Sequence, residues 1–123
     1  MDDFSNRRQY PRVNVSDDHG ARFNVGNVSL RDLILTNLSA GGCCIRVPAT
    51  QSELLEKGVM VNMVYLIHPS LPSVPLQATV SWLLGKQAGK TEGSIFVGLE
   101  FVNANPKFQE TINDYVKELL DQA

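Results

Sequence analysis

The sequence predicts an all-β domain: a six-stranded antiparallel β-barrel followed by one C-terminal α-helix. Three observations carry this prediction. Six short runs between residues 21 and 101 are rich in apolar and β-branched residues, several of them alternating with polar ones. The links between the runs are mostly too short for the crossover helices a parallel sheet requires. Residues 105–123 then change period, with apolar side chains recurring at helical spacing.

The first two runs, ARFNV (21–25) and RDLILTN (31–37), are separated by Gly26 and Asn27, a turn pair. GCCIRV (42–47) is the third. In VMVNMVYLI (59–67) the expected inward face is Val59, Val61, Met63, Tyr65 and Ile67, with Asn62 opposite. VPLQATVSWLL (74–84) places Val74, Leu76, Ala78, Val80, Trp82 and Leu84 inward against Gln77, Thr79 and Ser81. SIFVGLEF (94–101) buries Ile95, Val97, Leu99 and Phe101, and Gly98 within it marks a bulge or the close approach of another backbone. Between these runs lie Pro48 to Gly58, where Gln51 to Lys57 have room for one helical turn, then residues 68–73 and 85–93. The terminal helix aligns Phe108, Ile112, Tyr115, Val116, Leu119 and Leu120, with Asn105 as its cap and Pro106 in its first turn. Residues 1–15 are read as a flexible segment carrying arginines, 16–104 as the barrel and 105–123 as the helix.

Composition excludes several classes. A chain of 123 residues is one domain. Its formal net charge of −2 opposes general binding of nucleic-acid polymers or anionic membranes. No apolar run reaches the roughly 20 residues of a membrane span, so membrane insertion is not expected. The N-terminus lacks the apolar core of a secretory signal, and the expected location is the cytoplasm. Cys43 and Cys44 are adjacent and point to opposite faces of a strand, so they are expected as reduced thiols, one inward and one outward. With no further cysteine there is no ligand set, and His19 and His68 read as surface or loop residues. No metal or cofactor is expected. Catalysis is not expected either: Ser39 has no evident base, and no acidic cluster has metal-ligand spacing.

Against that acidic balance, SNRRQYPRVNV (5–15) crowds Arg7, Arg8 and Arg12 together. Tyr10-Pro11 disfavours helix, so the segment is extended or turned, and Arg8 and Arg12 stand up to about 13 Å apart. Two guanidiniums at that span can grip different parts of one ligand or two stacked ligands. The planar fork of arginine pairs with phosphate or with the O6/N7 edge of guanine, and its face stacks on a base. The second informative stretch is TNLSAGG (36–42), whose Asn37 and Ser39 hydrogen-bond nearby backbone while Gly41 and Gly42 permit close approach. Alone, the first stretch is a solvated basic tail and the second a tight turn.

Together, Arg8-Gln-Tyr-Pro-Arg12 and Asn37-Leu-Ser39-Ala-Gly-Gly42 resemble the two signatures of the PilZ family, RxxxR and (D/N)xSxxG. Val80-Ser-Trp82 and VGLEF (97–101) are similar to that family's barrel strands, and the likeness runs from about residue 7 to the terminal helix. The resemblance implies a receptor for the second messenger cyclic di-GMP, without chemistry of its own. It implies Arg8 and Arg12 as contacts to phosphate and guanine, Arg7 as an accessory, and Asn37, Ser39, Gly41 and Gly42 around the base. Binding would order the N-terminal segment and relay the signal to an effector protein in trans, in motility, exopolysaccharide synthesis, adhesion or virulence. The chain itself is expected as a monomer or weak homodimer. The competing reading is a nucleotide-blind adaptor of the same fold that acts only through protein contacts, as in pilus assembly.

Overall fold

The computed structural model describes residues 10–87, 89 and 91–122. Seven strands are followed by a helix: β1 (Val13–Asn14), β2 (Gly20–Val25), β3 (Val28–Ser39), β4 (Gly42–Pro48), β5 (Met60–Ile67), β6 (Leu76–Leu84), β7 (Ser94–Val102) and α1 (Pro106–Asp121). All pairings are antiparallel. The order β3-β2-β5-β6-β7-β4 closes through a β3–β4 pairing, giving a six-stranded barrel, and β1 adds to the end of β3. Strand β3 runs longer at both ends than alternation suggested, because its two halves serve different neighbours. Its first half pairs with β2 and its second with β4 and β1.

The β2–β3 hairpin turns on Gly26 and Asn27, with Gly26 at φ 58°. The helical turn expected over 51–57 is instead a short 3₁₀ turn at Ala49–Gln51, tied by the Ser52 hydroxyl donating to the Ala49 carbonyl at 2.7 Å. The barrel interior is aliphatic: Leu35, Ile45, Val47, Val61, Val64, Ala78, Val80, Ile95 and Val97 are all buried. Each fully buried Leu, Ile or Val contributes about 1.5–3 kcal/mol relative to exposure.

Two strands depart from simple alternation, for one physical reason. A bulge inserts a residue that has no partner, and every side chain beyond it changes face. In β5 the register shifts between Val61 and Val64, and Met63 takes φ 52°. Val61, Val64 and Leu66 are therefore buried, whereas Met63 and Ile67 are exposed and Tyr65 is half-buried. In β6 the shift lies between Val80 and Trp82, so Trp82 and Leu84 face outward and Leu83 turns toward the core.

The helix buries Phe108, Ile112 and Val116 against the same core, chiefly over β3 and β1. Phe108 meets Phe101 of β7 edge to face, with ring centroids 6.0 Å apart. The Asn105 side chain caps the helix by accepting from the Lys107 amide at 2.7 Å, and Pro106 occupies the first turn. Leu120 lies outside the stripe and is exposed. No helix among the described residues is long and apolar enough to cross a membrane.

Candidate functional site

Where β3 hands over to β4, the chain turns through Ala40 and Gly41, and this turn carries the second motif. A bulge between Leu35 and Asn37 resets the register just before it. Thr36 is the inserted residue; its hydroxyl donates to the Cys44 carbonyl at 3.1 Å, and its own carbonyl accepts from the Val15 amide at 3.0 Å. Asn37 pairs with Cys44 of β4 on one side and with Asn14 of β1 on the other. The strand β1 thus begins directly after Arg12 and runs along the end of β3. Continuing the register from Val13↔Leu38 and Asn14↔Asn37 sets Arg12 alongside Ser39. Tyr10 reaches farther, its ring 3.5 Å from where a side chain on Gly41 would begin.

The residues of the turn do different work. Ser39 is buried; its hydroxyl accepts from the Gly41 amide at 3.2 Å and donates to the Gly42 carbonyl at 3.4 Å. A Cβ on Gly42 would stand 2.3 Å from the Leu99 carbonyl oxygen of β7, so only glycine lets β4 and β7 approach here. The Gly41 carbonyl accepts from the Phe101 amide at 3.0 Å, locking the turn to the barrel. Asn37 is the exception. Its Oδ1 is buried and has no hydrogen-bond partner among the described residues. A buried amide oxygen left in that state costs about 1–3 kcal/mol.

Arg12 is exposed. Its charge acts on Cys43 from across the turn, favouring the thiolate, but burial dominates, seconded by Cys44, and pushes the Cys43 thiol far up. Both cysteines are free and both are buried. Cys43 belongs to the core; Cys44 takes the opposite face but is covered, contrary to the expected exposure. Arg7 and Arg8 lie outside the described residues.

Trp82 was expected in the core and is instead on the outer face. Pairing carries one row across four strands, Asn37–Cys44–Gly98–Trp82. The indole lies on Gly98, where a Cβ would collide with Trp82 Nε1 at 2.1 Å, so the glycine admits an aromatic ring and not another backbone. The row therefore ends in a 38% exposed aromatic plane. Alternation could not reveal this, but an isolated glycine opposite a tryptophan was the available signal.

Sequence reading also missed an assembly at the other end of β1. His19 was expected at the surface, yet it is 3% exposed, stacked on His68 with ring centroids 3.9 Å apart, and 2.6 Å from the Tyr115 hydroxyl of α1. Separations of 49 and 96 residues in the chain hid these contacts from any local pattern.

A closed antiparallel barrel with a short strand leading from Arg12 along the NxSxxG turn defines the class of fold. The PilZ domain model matches residues 6–118, and the chain belongs to the PilZ family. Among curated proteins none matches the sequence. Solved structures with the same fold include the PilZ domain of YcgR from Escherichia coli with c-di-GMP. That match has a TM-score of 0.74, 18% identity, and covers 94% of this chain and 93% of that one. The K. pneumonia MrkH–c-di-GMP complex (TM-score 0.71, 14% identity) and the Bacillus subtilis inhibitor of motility MotI/DgrA (TM-score 0.73, 16% identity) are each matched over 94% of this chain. The chain spans about half of these two, 53% and 52% of their lengths.

Proposed function

We propose that the chain is a receptor for cyclic di-GMP, binding it between the arginine segment and the outer face of the β3–β4 turn. The single observation carrying this reading is the pairing of β1 with the end of β3, whose register, continued by one residue, runs Arg12 alongside Ser39 of the second motif. Guanine carries ring N–H and amino donors that suit a buried amide acceptor, and its O6/N7 edge suits an arginine fork. Family membership and two solved structures of the same fold with c-di-GMP, the YcgR PilZ domain and the MrkH complex, support the choice of ligand. Arg7, Arg8 and Arg12 grip phosphate and guanine in this reading; Asn37 faces the base, and Ser39, Gly41 and Gly42 shape the turn beneath it. Trp82 stands on the same face as an aromatic surface and a spectroscopic reporter.

Ligand binding would hold the arginine segment in one arrangement, and that altered surface would engage an effector protein in trans. The ligand biases this equilibrium only by its differential affinity for the ordered state. Location in the cytoplasm and control of motility or exopolysaccharide synthesis belong to the same reading. The chain carries no chemistry of its own in it.

Calorimetric titration with cyclic di-GMP tests the proposal. Removing one charged contact costs on the order of 1.5–3 kcal/mol, about tenfold to a hundredfold in affinity. Arg8→Ala and Arg12→Ala should each lose that much while circular dichroism stays unchanged. Unaltered affinity in both would remove the site; absence of heat with the unmodified chain would favour the nucleotide-blind adaptor.

A further inference from the structure

The stacked histidines lie away from the β3–β4 turn and take no part in the reading above. We propose that Asp18, His19 and His68 form a binding site for a late first-row divalent cation such as Zn²⁺. The ligands come from two loops, β1–β2 and the one that follows β5, and they converge on one carboxylate. Asp18 Oδ1 is 3.0 Å from His19 Nδ1, and Asp18 Oδ2 is 3.3 Å from His68 Nε2. A tetrahedral shell with bonds of about 2.0–2.1 Å has edges of about 3.3 Å; the His68 separation has that length and the His19 separation is shorter, each to a different oxygen of the carboxylate. All three donor atoms lie within 4.8 Å of one another. The Ser16 carbonyl oxygen, 3.0 Å from His19 Nδ1, is a fourth donor atom beside them.

The donor set is the one that zinc and its neighbours select, two imidazoles and a carboxylate. The carboxylate is also anchored: the Ser16 hydroxyl donates to Asp18 Oδ1. The imidazole side chains are only 4% and 15% exposed, whereas the Asp18 carboxylate, 66% exposed, leaves the position open to an ion from solvent.

The hydrogen-bond partners suit two neutral rings, with a carbonyl facing His19 Nδ1 and a backbone amide facing His68 Nδ1. His19 donates from Nδ1 to the Ser16 carbonyl and accepts from the Tyr115 hydroxyl at Nε2; His68 accepts from the Ser70 amide at Nδ1, 3.1 Å away. Binding shifts each ring proton to its other nitrogen, with no net proton gained or lost. His19 then donates from Nε2 to Tyr115, whose hydroxyl accepts as readily as it donates, so that contact survives as an outer support for the ligand. His68 gives up the exposed Ser70 amide. The rings are parallel to within 8°, so their in-plane lone pairs do not yet meet. His68, half-buried on its loop, turns out of the stack to close the third edge. The ion would then fasten both loops together and, through Tyr115, brace α1.

Chelator-treated, untagged protein titrated with ZnSO₄ by calorimetry, and with Co²⁺ by visible absorption, tests this without any nucleotide. One ion per chain is expected, with a raised unfolding temperature. His68→Ala and Asp18→Asn, both at partly solvated positions, should keep the fold and weaken binding at least about tenfold. Failure to bind at micromolar metal overturns the proposal, as does equal affinity in the unmodified chain and in His68→Ala, which would move the ion elsewhere.

Discussion

The two halves of the β3–β4 turn differ in what they spend on the fold. At the far end, Ser39 commits its hydroxyl to Gly41 and Gly42, and Gly42 surrenders any side chain so that β7 can close against β4. At the near end, Asn37 brings an amide oxygen into a buried position and bonds it to no described group. One half is structural and the other is held in readiness. A six-residue motif is therefore not a uniform contact surface, and substitutions along it should separate stability from binding.

The largest effect is expected at Gly42. Its would-be Cβ meets a backbone carbonyl at 2.3 Å, and β4 pairs with β7 without a break from Gly42↔Glu100 to Pro48↔Ser94. Nothing there can swing aside. Gly42→Ala should cost about 3 kcal/mol, read as a lowered urea midpoint with unchanged slope. Gly98→Ala offers the control. Its Cβ would strike the Trp82 indole, a side chain on the outer face with space to move. The cost should be about 1–2 kcal/mol, accompanied by a changed tryptophan emission. Equal costs at the two glycines would mean that the backbone collision is relieved by barrel breathing, and the contrast between the halves would lose its basis.

The same geometry explains how far the sequence could be read. The closed barrel, the hairpin at Gly26-Asn27 and the capped helix were legible because each rests on a local pattern: alternation, a turn pair and a 3.6-residue period. The inward faces of β5 and β6 were not. In VNMVYLI and VSWLL both phases of the alternation are apolar enough to be buried, so an inserted residue at Met63 or before Trp82 leaves no mark. The order of the two motifs pointed to the family, and the structure adds that β1 joins them, a two-residue strand too short for any periodicity. His19, His68 and Tyr115 come together only through the closure of the barrel and the docking of α1.

Ser39→Ala ranks next. It removes the acceptor of the Gly41 amide inside a buried turn, and the loss should be about 1 kcal/mol, measured by the same denaturation. Its effect on cyclic di-GMP affinity should be the smaller of the two motif side chains, since the hydroxyl is already engaged within the protein.

Asn37→Ala should disturb stability least of all. Truncation deletes a buried acceptor that makes no hydrogen bond, and removing an unsatisfied group returns its desolvation cost even as a little packing is lost. The two terms offset to within about 0.5 kcal/mol, with stabilisation as the expected sign. Binding should behave in the opposite way, falling about tenfold as the base loses its acceptor. A variant that folds as well as its parent and binds the nucleotide worse would show that the fold keeps this oxygen at its own expense for a ligand. A variant destabilised as much as Ser39→Ala would instead make Asn37 one more brace of the turn and erase the difference between its halves.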